Sequence, residues 1–235
     1  MTAAHYTDVE APAHAFDLWG YGAPAAEAFQ SCAVAAAFSD PSAILVTYEA
    51  GEDLFRAGDL ANSVYRISKG TVVSYRLYAD GRRQITGFSL PGDVIGLEAG
   101  VEYRVHAQAL GPVTVRALKR RRLSVMAGDD SDLARDLWRL SLQAFRRSED
   151  HVMILARQGA AERVANFLLD YADSVGADDV IELPMSRQDI ADYLGLTIHT
   201  VSRSLSQLEA DGLISARSRR QVRLLRRDRL EALRE

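Results

Sequence analysis

The sequence predicts an α+β chain in which an antiparallel β-barrel or jelly roll is followed by a long helix and then by a winged helix-turn-helix. Glycines separate short strand-like segments in the first half of the chain, which is typical of such β domains. A stretch with apolar residues at helical spacing follows. Two short amphipathic helices and a basic hairpin occupy the last quarter. The glycines stand at positions 51, 58, 70, 81, 87, 92 and 96.

The composition indicates a two-domain chain without a membrane partner. With 235 residues, of which 48% are hydrophobic, the chain can form two cores. The net charge of −4 does not by itself favour nucleic acid, but residues 1–60 contain one arginine against nine acidic residues, so the remainder carries +4. No run of 18 apolar residues predicts a membrane span, and the N-terminus lacks a secretion-signal pattern. We therefore expect a cytoplasmic location.

Residues 1–40 are interpreted as an N-terminal arm. They are rich in alanine, contain Pro12 and Pro24, and show little periodicity, although a short helix is expected near Ala25 to Phe38. The chain has one cysteine, Cys32, which can neither form an internal disulfide nor supply the four thiolates of a typical iron–sulfur cluster. We interpret Cys32 as a small apolar residue among alanines, with a redox-reactive thiol as the alternative.

Residues 41–128 are predicted to form the β domain. The expected strands are Val64 to Ile67, Thr71 to Tyr78, Arg83 to Phe88 and Val101 to Leu110. Asp80-Gly81 between the second and third of these predicts a tight hairpin.

Residues 129–158 are predicted to form the long helix, about Ser131 to Ala156, with Ser131 as its cap. Two apolar stripes run along it. We expect one to cover the β domain and the other to pack against a second copy of the chain in a parallel two-fold dimer. A single helix buried within one chain is the alternative. The first stripe is Leu133, Leu137, Leu140, Ala144 and Ile154; the dimer stripe is Trp138, Leu142, Phe145, Val152 and Leu155.

Residues 159–235 are predicted to form the winged helix-turn-helix, after a hinge at Arg157 to Ala160 and a helix from Ala161 to Tyr171. Ser186 with Asp189 three positions later can cap a first helix, Gly195 can end it, and Thr197 can cap a second. The buried face of that second helix is expected to contain Ile198, Val201, Leu205 and Leu208.

The polar face of this second helix predicts DNA reading. His199, Ser202 and Arg203 stand at i, i+3 and i+4 in its first two turns, where a recognition helix meets base edges in the major groove. The guanidinium of Arg203 fits guanine O6 and N7, and Ser202 and His199 can also contact bases. A solvated polar helix face is the alternative.

A basic hairpin after this motif predicts phosphate contacts. Leu213 to Ser215 and Val222 to Leu225 are expected strands, and ten arginines stand against seven acidic residues from Ser186 onward. An arginine-tipped wing can contact the DNA backbone. The expected phosphate contacts are Ser186, Thr197, Thr200, Arg217, Arg219 and Arg220.

The sequence offers little for catalysis. We find no metal-spaced histidine and cysteine group, no glycine-rich phosphate loop and no serine elbow, so neither an enzyme nor a metal protein is expected.

The run LPMSRQDIADYLGLTIHTVSRSLSQLEADGLI closely resembles the winged helix of Crp/Fnr-type bacterial transcription regulators, and within them the FixK group. GEDLFRAGD and FSLPGDVIGLE resemble the β-roll of cyclic-nucleotide-binding domains. The resemblance covers about residues 40 to 230. It implies a homodimer that binds double-stranded DNA and activates low-oxygen or nitrogen-metabolism genes at sites like TTGAT-N4-ATCAA. It also implies RNA polymerase as a partner, with a contact at the loop from Ser89 to Asp93.

The chain departs from the family pattern at three places. Nucleotide-binding members have an Arg-Ser pair where Tyr103-Arg104 stands here, and Glu98 is out of register, so we expect no cyclic AMP and no other cofactor. A ligand-gated sensor, with haem on His106 or His151 as one form, is the alternative. The cysteine cluster of oxygen-sensing members is absent. His199 replaces the glutamate of the family's Glu-x-x-Ser-Arg pattern.

Overall fold

The computed structural model describes residues 32–98, 100–157, 159–218 and 220–233. The first part contains α1 (Cys32–Ala37), β1 (Ile44–Tyr48), β2 (Asp53–Phe55), β3 (Ser63–Lys69), β4 (Val72–Leu77), β5 (Arg83–Ser89), β6 (Val94–Ile95), β7 (His106–Ala109) and β8 (Val113–Lys119). The second part contains α2 (Arg120–Asp129), α3 (Ser131–Ala156), α4 (Ala160–Val175), β9 (Val180–Glu182), α5 (Arg187–Leu194), α6 (Ile198–Ala210), β10 (Ile214–Ala216), β11 (Gln221–Leu224) and α7 (Arg227–Glu231).

The β domain is a roll of two antiparallel sheets, with strand orders β1-β8-β3-β6 and β2-β7-β4-β5. The β4–β5 hairpin turns at Asp80-Gly81, as predicted, and Gly81 has φ +83°, a conformation that a residue without Cβ adopts easily. The predicted strand from Val101 to Leu110 is shortened to β7. The sequence reasoning does not predict β1, β2, β6, β8, β9, α2 or α7.

Aromatic rings fill part of the interior of the roll. The ring of Phe55 stacks on Tyr103 with centroids 3.8 Å apart and on Tyr65 at 5.7 Å. The Tyr103 hydroxyl donates a hydrogen bond to the carbonyl of Ser63 at 2.5 Å. Burial raises the pKa of Tyr103, so its hydroxyl remains a protonated donor.

Helix α3 has the predicted bounds but a different cap. The carboxylate of Asp130, and not Ser131, accepts hydrogen bonds from the amides of Asp132 and Leu133 at 2.9 and 3.1 Å. A 26-residue helix is about 39 Å long, so α3 extends past the roll. The stripe predicted to cover the roll is therefore only partly correct. Leu133, Leu137 and Leu140 pack in the cluster that includes roll residues, as predicted. Ala144 is exposed, and Ile154 joins the core of the C-terminal domain.

The C-terminal domain packs α4, α5 and α6 over a three-stranded sheet of order β10-β11-β9. The predicted wing hairpin is present, and β9 adds a third strand because it pairs with the other edge of β11. None of the helices in the described ranges has the length and apolarity needed to cross a membrane.

Candidate nucleic-acid interface

The first helix of the motif, α5, begins with a capping box. The Ser186 hydroxyl accepts from the Asp189 amide at 3.1 Å, and the Asp189 carboxylate accepts from the Ser186 amide at 2.8 Å. The same hydroxyl donates to that carboxylate at 2.6 Å. The hydroxyl proton of Ser186, which we predicted to contact phosphate, is therefore already used within the cap.

A three-residue turn sets the angle between α5 and α6. Gly195 ends α5 with φ +62°, and its amide donates to the carbonyl of Ala191. Thr197 then caps α6 because its hydroxyl oxygen accepts from the Thr200 amide at 3.1 Å. The two threonine hydroxyls lie 2.8 Å apart at the exposed start of the helix. These capping roles match the sequence prediction.

The apolar face of α6 is buried against the rest of the domain. Val201, Leu205 and Leu208 lie in the core, as predicted. Ile198 was expected to join them but is 39% exposed, because it occupies the first helical position beside the turn.

The opposite face of α6 presents the predicted base-reading residues to solvent. His199 and Arg203 are exposed and Ser202 is half-buried. The Ser202 hydroxyl accepts a hydrogen bond from Nη1 of Arg187 at 3.2 Å. Arg187, the first residue of α5, therefore belongs to this surface. The sequence reasoning missed Arg187, although its position directly after the cap was a usable signal.

A shallow depression on this side of α6 is lined by Ser202, Arg203, Ser206 and Gln207. The side-chain amide of Gln207 is already hydrogen-bonded within α6 and its C-cap, because it donates to both carboxylate oxygens of Asp211 at 3.0 Å.

The wing lies beside α6 and is tied to it. The carboxylate of Glu209 accepts from the amide of Ala216 at 2.9 Å. The Ser218 hydroxyl accepts from the amide of Arg220 at 3.2 Å and so shapes the tip. Arg217 and Arg220 are exposed, and Arg219 lies outside the described residues.

The cations of this surface are available to an anionic partner. The ion pairs within the described part of the chain involve none of Arg187, Arg203, Arg217 or Arg220. Among the residues that the structure describes, no carboxylate forms an ion pair with these four arginines. A helix with exposed polar residues in its first two turns and a basic hairpin beside it can contact bases and phosphates together.

The structure changes one predicted partner site. We expected the loop from Ser89 to Asp93 to be exposed, as a contact with RNA polymerase requires, but the loop is half-buried except at Pro91. Leu90 packs against the core of the C-terminal domain, and Asp93 pairs with Arg147 of α3 at 3.1 Å. The loop is therefore half-buried where the two domains pack, except at Pro91, which is exposed.

The candidate ligand residues of the roll and of α3 make contacts within the chain. His106 stacks on Tyr75 with centroids 5.0 Å apart, and Nε2 of His151 hydrogen-bonds the carbonyl of Tyr193 at 2.8 Å. Glu98 accepts from the backbone amide of Arg104 at 3.4 Å. Within the described residues no group of three potential ligands could hold a metal ion. Cys32 begins α1, but its side chain lies outside what the structure describes.

Two family models match the chain. A model described as a Crp-like helix-turn-helix domain matches residues 162–233, and one described as a cyclic nucleotide-binding domain matches residues 45–130. The winged motif lies in the first of these ranges and the β-roll in the second.

Relatives with curated names and a solved structure agree with these models. The chain is 40% identical over 242 residues to the nitrogen fixation regulation protein FixK of Azorhizobium caulinodans, covering 98% of this chain and 96% of that protein. It is 39% identical over 190 residues to the FixK protein of Rhizobium meliloti, covering 81% and 87%. The structure of FixK2 from Bradyrhizobium japonicum superimposes with a TM-score of 0.79 at 44% identity, covering 82% of this chain and 98% of that one. The chain therefore belongs to the Crp/Fnr family of transcription regulators, within its FixK-like group, and is a DNA-binding regulator and not an enzyme.

Proposed function

We propose that the protein is a homodimeric, sequence-specific transcription regulator that reads a palindrome without a cofactor. One observation carries this proposal: α6 buries Val201 and Leu205 while it presents His199, Ser202 and Arg203 outward from its first two turns. That division of faces suits insertion of the helix N-terminus into the major groove.

The side chains on this face divide into base and phosphate contacts. Arg203 addresses guanine through O6 and N7, and Ser202, held by Arg187, lies beside it. Thr197 and Thr200 stand at the start of α6, where hydroxyls and backbone amides meet phosphate. The wing arginines 217, 219 and 220 supply charge to the backbone farther along the site.

The exposed stripe on α3 supports a homodimer. Trp138, Phe145 and Val152 are 65%, 61% and 62% exposed, which is unusual for three large apolar side chains on one helix face. Leu142 and Leu155 are half-buried; an ideal Cβ on Gly195 would lie 3.5 Å from Leu155, so Leu155 also supports the motif's turn. A two-fold axis along α3 would place two recognition helices about one DNA turn apart.

The interior of the roll supports binding without an effector. The stacked rings of Phe55, Tyr65 and Tyr103 occupy space inside the β domain and form part of its core. The alternative, a sensor gated by a small molecule or haem, would require that His106 or His151 leave its present ring stack. Full DNA affinity of purified protein that has no absorbance above 320 nm would favour the first function; a ligand-dependent affinity would favour the second.

The names of the relatives suggest which genes the protein regulates. Two of them are nitrogen fixation regulation proteins, and a further relative from Rhodopseudomonas palustris, 38% identical over 173 residues, is called a transcriptional activatory protein. We accordingly propose activation of low-oxygen or nitrogen-metabolism genes at TTGAT-N4-ATCAA-like palindromes. Activation requires RNA polymerase as a partner. The protein would act in the cytoplasm, where the promoter DNA is.

The decisive experiment measures binding to the palindrome and to a scrambled duplex of equal length by fluorescence anisotropy. Wild type should prefer the palindrome, and Arg203→Ala should lose about 1–3 kcal/mol per half-site and relax preference at one base pair. Uniform weakening on both duplexes would make Arg203 a phosphate contact. Equal wild-type affinity for both duplexes would contradict sequence-specific binding.

A further inference from the structure

The β4–β5 hairpin of the roll is bound directly to the helix-turn-helix. Nε of Arg83 hydrogen-bonds Oδ2 of Asp192 at 2.9 Å, and Nη2 of the same guanidinium bonds the carboxylate of Asp189. The neighbouring Gln84 donates from its amide to the carbonyls of Asp192 at 2.8 Å and Tyr193 at 3.3 Å. Two consecutive residues of the roll thus hold one side of α5. We call Arg83, Gln84, Asp189 and Asp192 the hairpin clamp.

The guanidinium of the clamp is fixed from both domains. It lies 5.4 Å from the ring centroid of Tyr75, within the roll. Burial alone would lower the pKa of Arg83, but the hydrogen bonds to Asp192 and Asp189 outweigh burial and raise the pKa, so the side chain remains charged. Because two nitrogens of the planar guanidinium contact two different carboxylates, they also fix its direction, which a single lysine contact does not.

One clamp residue belongs to the motif's own architecture. The carboxylate of Asp189 accepts from the Ser186 amide and so completes the capping box of α5. Arg83 therefore holds the same carboxylate that starts the first helix of the motif. A movement of the hairpin would be passed to α5 directly.

A second contact joins the motif to α3. The rings of His151 and Tyr193 stack with centroids 3.9 Å apart, and Nε2 of His151 lies 2.8 Å from the Tyr193 carbonyl. Burial lowers the pKa of His151, so the neutral imidazole can donate this hydrogen bond at neutral pH. Phe88 of the roll and Phe167 of α4 lie 5.4 and 5.8 Å from the Tyr193 ring.

A third contact fixes the segment between α3 and α4. Arg163 donates from Nε to the carbonyl of Arg157 at 2.8 Å and from Nη1 to the carbonyl of Leu194 at 3.1 Å. One side chain thus connects the segment after α3 to the end of α5.

These contacts leave the DNA-facing surface open. They contact α5 at Asp189, Asp192, Tyr193 and Leu194, whereas His199 and Arg203 of α6 remain exposed. We propose that the hairpin clamp holds each helix-turn-helix in an orientation that suits DNA, so that the dimer binds its palindrome without an effector. This inference rests on the proposed function, since orientation matters only if two motifs bind one site.

Loss of the hairpin clamp should affect binding to two half-sites more than binding to one. If only a fraction of molecules have a competent orientation, the apparent affinity falls by that fraction. A half-site duplex needs one correctly folded motif in any orientation, whereas a palindrome needs two motifs in a fixed relation. Loss of the clamp should therefore weaken palindrome binding and leave half-site binding nearly unchanged.

The test compares Arg83→Ala with Arg82→Ala. Arg82 is a matched control, because it is the adjacent arginine of the same hairpin and pairs with Asp80 at the exposed tip. We expect Arg83→Ala to lose about tenfold or more on the palindrome and less than about threefold on the half-site, with Arg82→Ala near wild type on both. The double variant Arg83→Ala with Asp192→Ala should be no weaker than Arg83→Ala alone, since Arg83→Ala already removes the ion pair with Asp192.

Equal losses on palindrome and half-site would overturn the proposal, because Arg83 would then act through the fold of the motif and its Asp189 cap. Wild-type affinity of Arg83→Ala on the palindrome would also overturn it. A DNA-free readout separates this failure from failure of the proposed function. Spin labels on Ser68→Cys and Asp178→Cys, in a Cys32→Ser background diluted with unlabelled chain, should give one narrow distance in the control. A broad distance distribution is expected after Arg83→Ala, and an unchanged one would contradict the clamp even if the protein recognised no DNA.

Discussion

Replacing the exposed stripe of α3 with carboxylates should convert the protein into monomers. Phe145 and Val152 are 61% and 62% exposed in the single chain. An aromatic side chain offers on the order of 200 Å², so burial of the exposed part of Phe145 corresponds to about 120 Å², or about 3 kcal/mol at 25 cal/mol per Å². In a two-fold dimer each substitution is present in both protomers, so the lost burial energy doubles. Phe145→Asp with Val152→Asp also brings four carboxylates into the seam.

The expected loss therefore exceeds about 6 kcal/mol, which is more than about four orders of magnitude in the dimer dissociation constant. Sedimentation velocity at micromolar concentration should show a single monomer species that retains half-site binding and loses the palindrome. Ala144→Asp is the matched control, because Ala144 is exposed on α3 but lies outside this stripe. A dimer that survives in the double variant, together with a monomer in the control, would refute the argument and assign the seam to the side of Leu140 and Ala144.

Three further predictions concern the motif and its wing. Arg219→Ala with Arg220→Ala should weaken all duplexes alike and lower the slope of log affinity against log salt by roughly 0.9 per lost phosphate contact; an unchanged slope would place the wing tip away from phosphate. His199→Glu should sharpen the preference at one base pair and reduce non-specific binding, because a carboxylate only accepts hydrogen bonds whereas imidazole can also donate. If binding-site selection returned identical base preferences for both proteins, His199 would make no base contact. Gly195→Ala should lower the free energy of unfolding by about 1–2 kcal/mol, because φ is +62° and L side chains disfavour that conformation. The new Cβ would lie 3.5 Å from Leu155 and 4.0 Å from Arg163, which are ordinary contacts. Unchanged stability in chemical denaturation would contradict the left-handed turn.

The departure at His199 bears on specificity. Relatives with a glutamate in this place can accept from the N4 donor of cytosine or the N6 donor of adenine. An exposed imidazole can instead donate to guanine N7 or to a phosphate oxygen, and it removes a negative charge from the groove. We therefore expect this protein to tolerate changes at that base pair while Arg203 keeps its guanine.

The sequence by itself determined the helix-turn-helix almost residue by residue. Ser186, Gly195 and Thr197 occupy the predicted caps because a cap is closed by hydrogen bonds across three or four positions, and such short-range partners are visible in the sequence. The bounds of α3 follow similarly from apolar spacing, although its cap lies one residue earlier, at Asp130. The Asp80-Gly81 pair predicted the β4–β5 hairpin, in which the two paired strands are close in the chain.

Only the tertiary structure decided what depends on distant partners. Strand β1 pairs Ile44 with Ala117 through backbone groups that carry no side-chain signature, so sequence pattern does not reveal it. The Ser89 to Asp93 loop resembles an exposed turn in sequence, but Leu90 packs against the core of the C-terminal domain while Pro91 remains exposed. Arg83 and Asp189 stand 106 positions apart, and each alone looks like a solvated charge. Their contact exists because the packing of two domains brings a hairpin against α5, and that packing depends on the shape of both surfaces together.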